Sequence, residues 1–253
     1  MVSRRLALIG VEGNHDQAFL AKILRKSLGF TAFKDGEDDL DDLWRKFIPV
    51  YPPKSGKFHV RLNFPSILHT DKVSVAIYVG GGSSLTQSLS VILSNLDCSQ
   101  LSSFGIVADS DKKLPEQVAV TYSTAFKEFF PEFFSTPGEV AGESFRSGIY
   151  VLPDNTSEGV LETLLCKCGE VAYPDYMKRA SSYINSFSAE EIKKLKWKPY
   201  DREKATIATV ASVLKPGKTN TVSISDNKWI CQQTTDSVPE LFALTDFLKK
   251  LLL

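Results

Sequence analysis

The chain is poor in the residues from which several kinds of site are built. It holds three histidines and four cysteines in 253 residues. Cys98, Cys166, Cys168 and Cys231 show no paired CxxC spacing and lie far from the histidines, which argues against zinc and leaves free thiols, as a reducing cytosol would keep them. Charge of one sign is missing too. Lysine plus arginine equals aspartate plus glutamate, at 30 each, so no global positive field marks a nucleic-acid binder and any such surface must be local. No apolar run approaches membrane-spanning length, and the six apolar residues after Arg5 are too few for a secretion signal, so the expected compartment is the cytoplasm, with no membrane partner. What is present is an ordinary globular composition, 43% hydrophobic and 24% charged, in a length that suits a core with an appended helical part.

The organising stretch is residues 6–16. A short apolar run, as a strand buried on both faces would show, ends abruptly at Glu12 and Gly13. Asn14 with Gln17 has capping-box spacing for a helix whose apolar positions are Leu20, Ile23, Leu24 and Leu28. Glu12 is therefore expected at a strand's carboxyl end, with Asp16 in the first turn of the next helix, at the edge where open α/β sheets bind ligands. Residues 104–111 repeat the theme, since an apolar strand runs into Asp109, Ser110 and Asp111. Period-two geometry would put Asp109 and Asp111 on one side. Several carboxylates in one confined site repel unless a cation neutralises them, and hard oxygen donors point to Mg²⁺ or Mn²⁺.

Val-Glu12-Gly followed by Asp16, then Ala-Asp109-Ser-Asp111 at the end of a later strand, resembles the toprim domain shared by topoisomerases, primases and OLD-type nucleases. Pro153-Asp154-Asn155, with Gly159-Val-Leu161-Glu162 beyond, sharpens the resemblance to a prokaryotic toprim-related family that carries these motifs and a helical C-terminal tail. It implies a Rossmann-like α/β core with a mainly parallel sheet flanked by helices over residues 1–155, carrying an insertion around 33–70. A mainly helical extension would follow over 156–253. It also implies that Glu162 reaches back to the metal site, joining Glu12, Asp16, Asp109 and Asp111, whereas its spacing alone equally makes Glu158 and Glu162 first-turn acids favoured by the helix dipole. One departure is that Lys113 stands where many toprim domains carry a further acid, which disfavours a topoisomerase-like arrangement. No tyrosine is assignable as a strand-cleaving nucleophile.

The acidic run 35–42 is expected to be a solvated helix face, because Leu40, Leu43, Trp44 and Phe47 recur at helical spacing. Lys54, Lys57, His59 and Arg61 follow in a weak strand pattern that is either a phosphate contact or a solvated hairpin. A strand over 73–79 runs into Gly80, Gly81 and Gly82, whose amides either hold phosphate or only bring backbone near the metal site. With no Lys-Ser or Lys-Thr after them, they form no nucleotide P-loop. A helix is expected over 114–134, a strand over 148–152, and a helix over 158–167 capped by Thr156 or Ser157. Asp154 and Asn155 either lend polarity to the substrate site or make an ordinary turn.

Towards the end, Ser188 and Glu191 form a capping box for a helix leading into Lys194, Lys196, Trp197, Lys198 and Tyr200, a basic and aromatic run that is either a contact for nucleic-acid backbone or a solvated face. Lys204 opens the next helix. As the resemblance to nucleases implies, it would stabilise charge on a phosphorane-like transition state. A strand-like segment is expected around 222–224 and a final helix from Pro239.

The expected activity is Mg²⁺- or Mn²⁺-dependent phosphodiester hydrolysis on nucleic acid, DNA before RNA. Glu12 would act either as a metal ligand or as general base or acid. Two other readings stand beside it: a non-catalytic nucleic-acid-binding or regulatory toprim protein in which Lys113 replaces the metal, and a hydrolase of small nucleotides. A protein partner or a second copy of the chain is compatible with each.

Overall fold

The computed structural model describes residues 4–48 and 64–253. A seven-stranded sheet runs in the order β2-β3-β4-β1-β5-β7-β6, formed by β1 (Arg5–Val11), β2 (Thr31–Ala32), β3 (Ser66–His69), β4 (Val73–Val79), β5 (Leu101–Asp109), β6 (Val140–Ala141) and β7 (Arg146–Leu152). The four central strands are parallel, and the short outer strands β2, β3 and β6 join antiparallel. This is the α/β architecture expected, with a helical C-terminal region added.

Period-two alternation sorts the strands' side chains between two cores. Ile9, Val75, Val107 and Tyr150 face one layer, whereas Leu8, Ala76, Ile106 and Ile149 face the other. The first layer contains α1 (Asn14–Ser27), α5 (Leu161–Ala172) and α11 (Pro239–Leu252). The second contains α2 (Asp42–Arg45), α3 (Leu85–Leu93) and α4 (Pro115–Phe126). Outside the first layer lie α6 (Pro174–Asn185), α7 (Ala189–Lys194), α8 (Asp201–Leu214), α9 (Asn220–Asp226) and α10 (Gln232–Ser237). The strand glycine Gly105 is required by close approach, because a Cβ there would meet the Leu251 side chain of α11 at 2.5 Å.

The winding locates a crevice. From β1 the chain leaves through α1 on one face towards β4; from β5 it leaves through α4 on the other face towards β7. Neighbouring strands whose helices depart on opposite faces splay apart at their carboxyl ends, so the switch point lies between β1 and β5. Glu12 and Asp109 stand there.

Several local expectations are corrected. The helix after β1 is capped at Gly13 rather than Asn14: the Gly13 N–H donates to Asp16 at 2.7 Å, while the Gln17 amide donates instead to the Ile77 carbonyl at 2.8 Å. The helix expected over 114–134 stops at Phe126, and Phe130 and Phe133 pack around Phe104 from the following turns. Residues 222–224 lie in helix α9, which Thr219 caps by accepting from Val222 N–H. The basic cluster at Lys54, Lys57, His59 and Arg61 lies outside the described residues. Leu40, Leu43, Trp44 and Phe47 are buried as expected. Among the described residues, no helix is long and apolar enough to cross a membrane.

Candidate active site

Four carboxylates gather at the crevice. Glu12 follows β1 on the side of α4, where the Tyr122 hydroxyl donates to its Oε1 at 3.0 Å. Asp16 sits in the first turn of α1, held by the Gly13 amide and only 8% exposed. Asp109 ends β5 and accepts the Leu161 N–H at 2.8 Å, joining strand β5 to the start of α5. Glu162, in the first turn of α5 and 7% exposed, meets His15 Nδ1 at 3.2 Å. Each carboxylate thus has at least one protein partner that fixes its orientation, Glu12 also accepting from the Asp109 backbone amide.

The electrostatics are those of crowded acid. Burial first, then the neighbouring Asp16, Glu12 and Glu162, raises the Asp109 carboxyl well above its usual range. Asp16 is pushed up to about 7 by burial and, after the opposing Gly13 amide, by Glu12 and Glu162. Burial also raises Glu12, against the Tyr122 hydrogen bond and the nearby Lys113. His15 is raised by its bond to Glu162, while Lys204 lies close enough to work in the opposite direction.

Asp111 is brought near but not into the group. The strand ends at Asp109, and Asp111 takes a left-handed conformation, φ 52°, as its backbone pairs with Gly159. Its side chain is exposed, so the same-side geometry expected of Asp109 and Asp111 does not hold, although Asp111 still raises the Glu12 carboxyl. Asp154 and Asn155 spend their polar atoms on their own loop. Asp154 accepts from the Thr156 and Ser157 amides, and Asn155 accepts from the Val151 amide at 2.8 Å. Those amides bring Asp154 below the usual carboxylate range despite partial burial, and Thr156 and Ser157 are not helix caps.

The glycine loop acts on Glu12 through the backbone. The Gly81 and Gly82 amides donate to the Glu12 carbonyl at 3.1 and 2.8 Å, and the Gly80 amide donates to the Val11 carbonyl at 2.9 Å. They hold the strand end in place and are not free for phosphate. Gly81, at φ 79°, adopts a conformation that glycine takes without strain. Lys194, Lys196, Lys198 and Lys204 are exposed on the helical region. The Tyr200 hydroxyl donates to the Asp111 carbonyl at 2.7 Å, tying that region to the crevice.

His15 and Tyr122 are the site residues that the sequence reading missed. His15 carried a weak signal, since it lies between Glu12 and Asp16 in the sequence, in the first turn of α1. Tyr122 carried none, because its spacing on α4 matches a core position.

As for a metal, the donor chemistry of mutually repelling buried carboxylates fits a hard divalent cation. Among the described residues, however, no three His, Cys, Asp or Glu side chains converge as a ready-made cage.

The model of a family described as "Protein of unknown function (DUF3226)" matches residues 6–253. No curated protein matches the chain. The crystal structure of hypothetical protein PH0156 from Pyrococcus horikoshii OT3 is similar at 20% sequence identity, covering 98% of this chain and 95% of that one, with a TM-score of 0.47.

Proposed function

We propose that this chain, which belongs to the DUF3226 family, is a toprim-like, metal-dependent hydrolase of nucleic-acid phosphodiesters working in the cytoplasm. The observation that carries the reading is the set Glu12, Asp16, Asp109 and Glu162 at the switch-point crevice, where burial and mutual repulsion push Asp16 and Asp109 upwards. Acids kept in that state gain from a divalent cation more than exposed acids would. Asp16 and Asp109, with Glu12 or Glu162, would hold Mg²⁺ or Mn²⁺, which when bound supplies Lewis-acid charge neutralisation at the phosphate.

The chain's own residues supply the remainder. Glu12, raised by burial and oriented by Tyr122, accepts a proton from the attacking water. Lys204, at the rim near His15, offsets negative charge as it grows on the phosphate oxygens. His15 holds Glu162 in place through its Nδ1 contact. Lys194, Lys196 and Lys198 would contact the phosphate backbone, DNA before RNA. The four cysteines are free thiols, which agrees with a reducing compartment.

A second reading is favoured by one observation. Lys113 already moderates the Glu12 carboxyl and each acid has a protein partner, so the site would also suit a binding protein in which lysine replaces the metal. Cleavage of labelled single-stranded DNA, supercoiled DNA and RNA with Mg²⁺ or Mn²⁺ separates the two. Cutting by the wild type that disappears in a Glu12→Gln, Asp109→Asn double variant is the expected result. No cutting by either protein would leave the binding reading in possession.

A further inference from the structure

The helical region carries a feature that the carboxylate site does not use. Helix α6 buries Met177, Ala180 and Ile184, while Tyr176, Arg179 and Tyr183 recur on its outer side at a spacing of three and four. Tyr176 is 42% exposed and Tyr183 58%. Tyr183 stands edge-on to Phe187, with ring centroids 5.3 Å apart. This makes a platform of two aromatic rings at the C-terminal end of α6.

The topology puts that end beside the crevice. Helix α5 starts at the crevice with Leu161 and Glu162 and runs away to Tyr173, where α6 begins and returns. The Arg202 guanidinium at the start of α8 donates to the Asn185 side chain at 2.5 Å and the Ile184 carbonyl at 3.4 Å, joining the returning end of α6 to Tyr200 and Asp111. Between these two ends, residues 193–200 contribute Lys193, Lys194, Lys196 and Lys198 with no acid, together with Trp197.

We infer that Tyr183 and Phe187, with Arg179 and the lysines of residues 193–198, form a track for single-stranded nucleic acid leading to the carboxylate crevice. The inference deepens the phosphodiester reading and rests on it for the direction of the track. The occupant follows from chemistry. An exposed Tyr183 ring, backed by the half-buried Phe187 and followed by cations, suits unpaired bases stacked on the ring with their phosphates on the lysines, and a duplex hides the faces that such a ring needs. Residues 193–200 hold no acid; of the two exposed acids between Phe187 and Lys193, Glu190 and Glu191, the second has its carboxylate taken up by the Ser188 N–H and hydroxyl at 2.8 and 2.7 Å.

The test is fluorescence anisotropy of a labelled 20-nucleotide oligothymidylate in EDTA, so that no cleavage is required. Tyr183→Ala is expected to weaken binding roughly 5- to 150-fold, with Tyr183→Phe retaining it, as loss of one stacked base predicts. A Lys194→Ala, Lys196→Ala, Lys198→Ala variant should flatten the slope of log affinity against log salt by about 2. A 20-base-pair duplex should compete more weakly than the single strand. Melting temperatures of the variants check that they are folded.

Wild-type protein that does not bind the oligonucleotide, or that binds it as tightly after Tyr183→Ala, overturns the track even if it cleaves a dinucleotide. Self-association through this face without oligonucleotide affinity overturns it as well. Tyr183-dependent binding by a protein that cuts nothing would sustain the track and remove the hydrolase reading instead.

Discussion

The two ends of the sheet are both acidic, and they behave in opposite ways. At the amino end, Asp35, Asp38, Asp39, Asp41, Asp42 and Asp71 line a cavity of about 1000 Å³. There all but Asp41 are exposed, and Arg4 and Arg45 approach Asp41 and Asp42 at 3.7 and 3.6 Å. At the carboxyl end, fewer acids lie deeper and raise one another, with His15 and Lys113 opposing only in part and Lys204 close to His15. Water and arginine disperse the charge of the first group, whereas burial concentrates that of the second. The number of acids in a run therefore says little. Their depth, and what faces them, decides whether they form a site.

The largest expected difference between the two ends is in turnover. Glu12→Gln should lower cleavage by roughly 10² to 10⁴-fold if Glu12 takes the proton, without unfolding the chain, because glutamine can still accept from Tyr122. Steady-state cleavage with a melting curve on the same sample checks both parts. Wild-type turnover in this variant would remove Glu12 from the chemistry. Lys204→Ala comes next, with a loss of roughly 10²-fold in kcat and metal affinity unchanged by calorimetry, as expected for a group that acts on transition-state charge. A matching loss of metal affinity would show that Lys204 acts on the carboxylates instead.

The metal-free protein offers a smaller but distinctive effect. Asp16 rises from an ordinary 3.8 to about 7 on folding. A carboxyl with a raised folded value contributes stability that is full below its unfolded value and is lost as pH climbs through the folded one. In EDTA the melting temperature should therefore fall as pH rises from about 5 to 8, and Mg²⁺ should restore it most at the upper end. Asp109→Asn should flatten the profile, since it removes one repelling charge and its carbonyl oxygen can still accept the Leu161 amide. A profile that stays as steep would mean that the carboxylates are less tightly coupled than their burial suggests.

Much of this was legible because strands announce themselves. Four central strands, each a short apolar run closed by an acid, glycine or proline, lay close to their expected positions, and the final helix buries Leu241, Leu244, Leu248 and Leu251 as its spacing required. What failed was decided by tertiary partners. Asp111 looked paired with Asp109 by period two, but its backbone bridges to Gly159, about 50 residues on, and turns the chain. Residues 222–224, rich in β-formers, became a helix because α1 and α8 pack against it, with Ser223 and Ile224 buried. The Glu162–His15 contact spans 147 positions, which local spacing cannot reveal.

The smallest expected effect tests the comparison from its other side. Asp38→Asn with Asp39→Asn removes two charges from the amino end, where both side chains are exposed and neither makes an ion pair among the described residues. If exposure is what separates a solvated acidic face from a site, the double variant should melt within about 0.5 kcal/mol of the wild type and cleave at the same rate. The Arg45 contact to Asp38 should survive, because it uses the backbone carbonyl, at 3.2 Å, rather than the carboxylate. Its melting temperature should also follow the same pH profile as the wild type in EDTA, since these acids sit at the far end of the strands from Asp16. A large gain in stability would show that the amino-end acids repel as the buried ones do, and the contrast between the two ends would then rest on something other than depth.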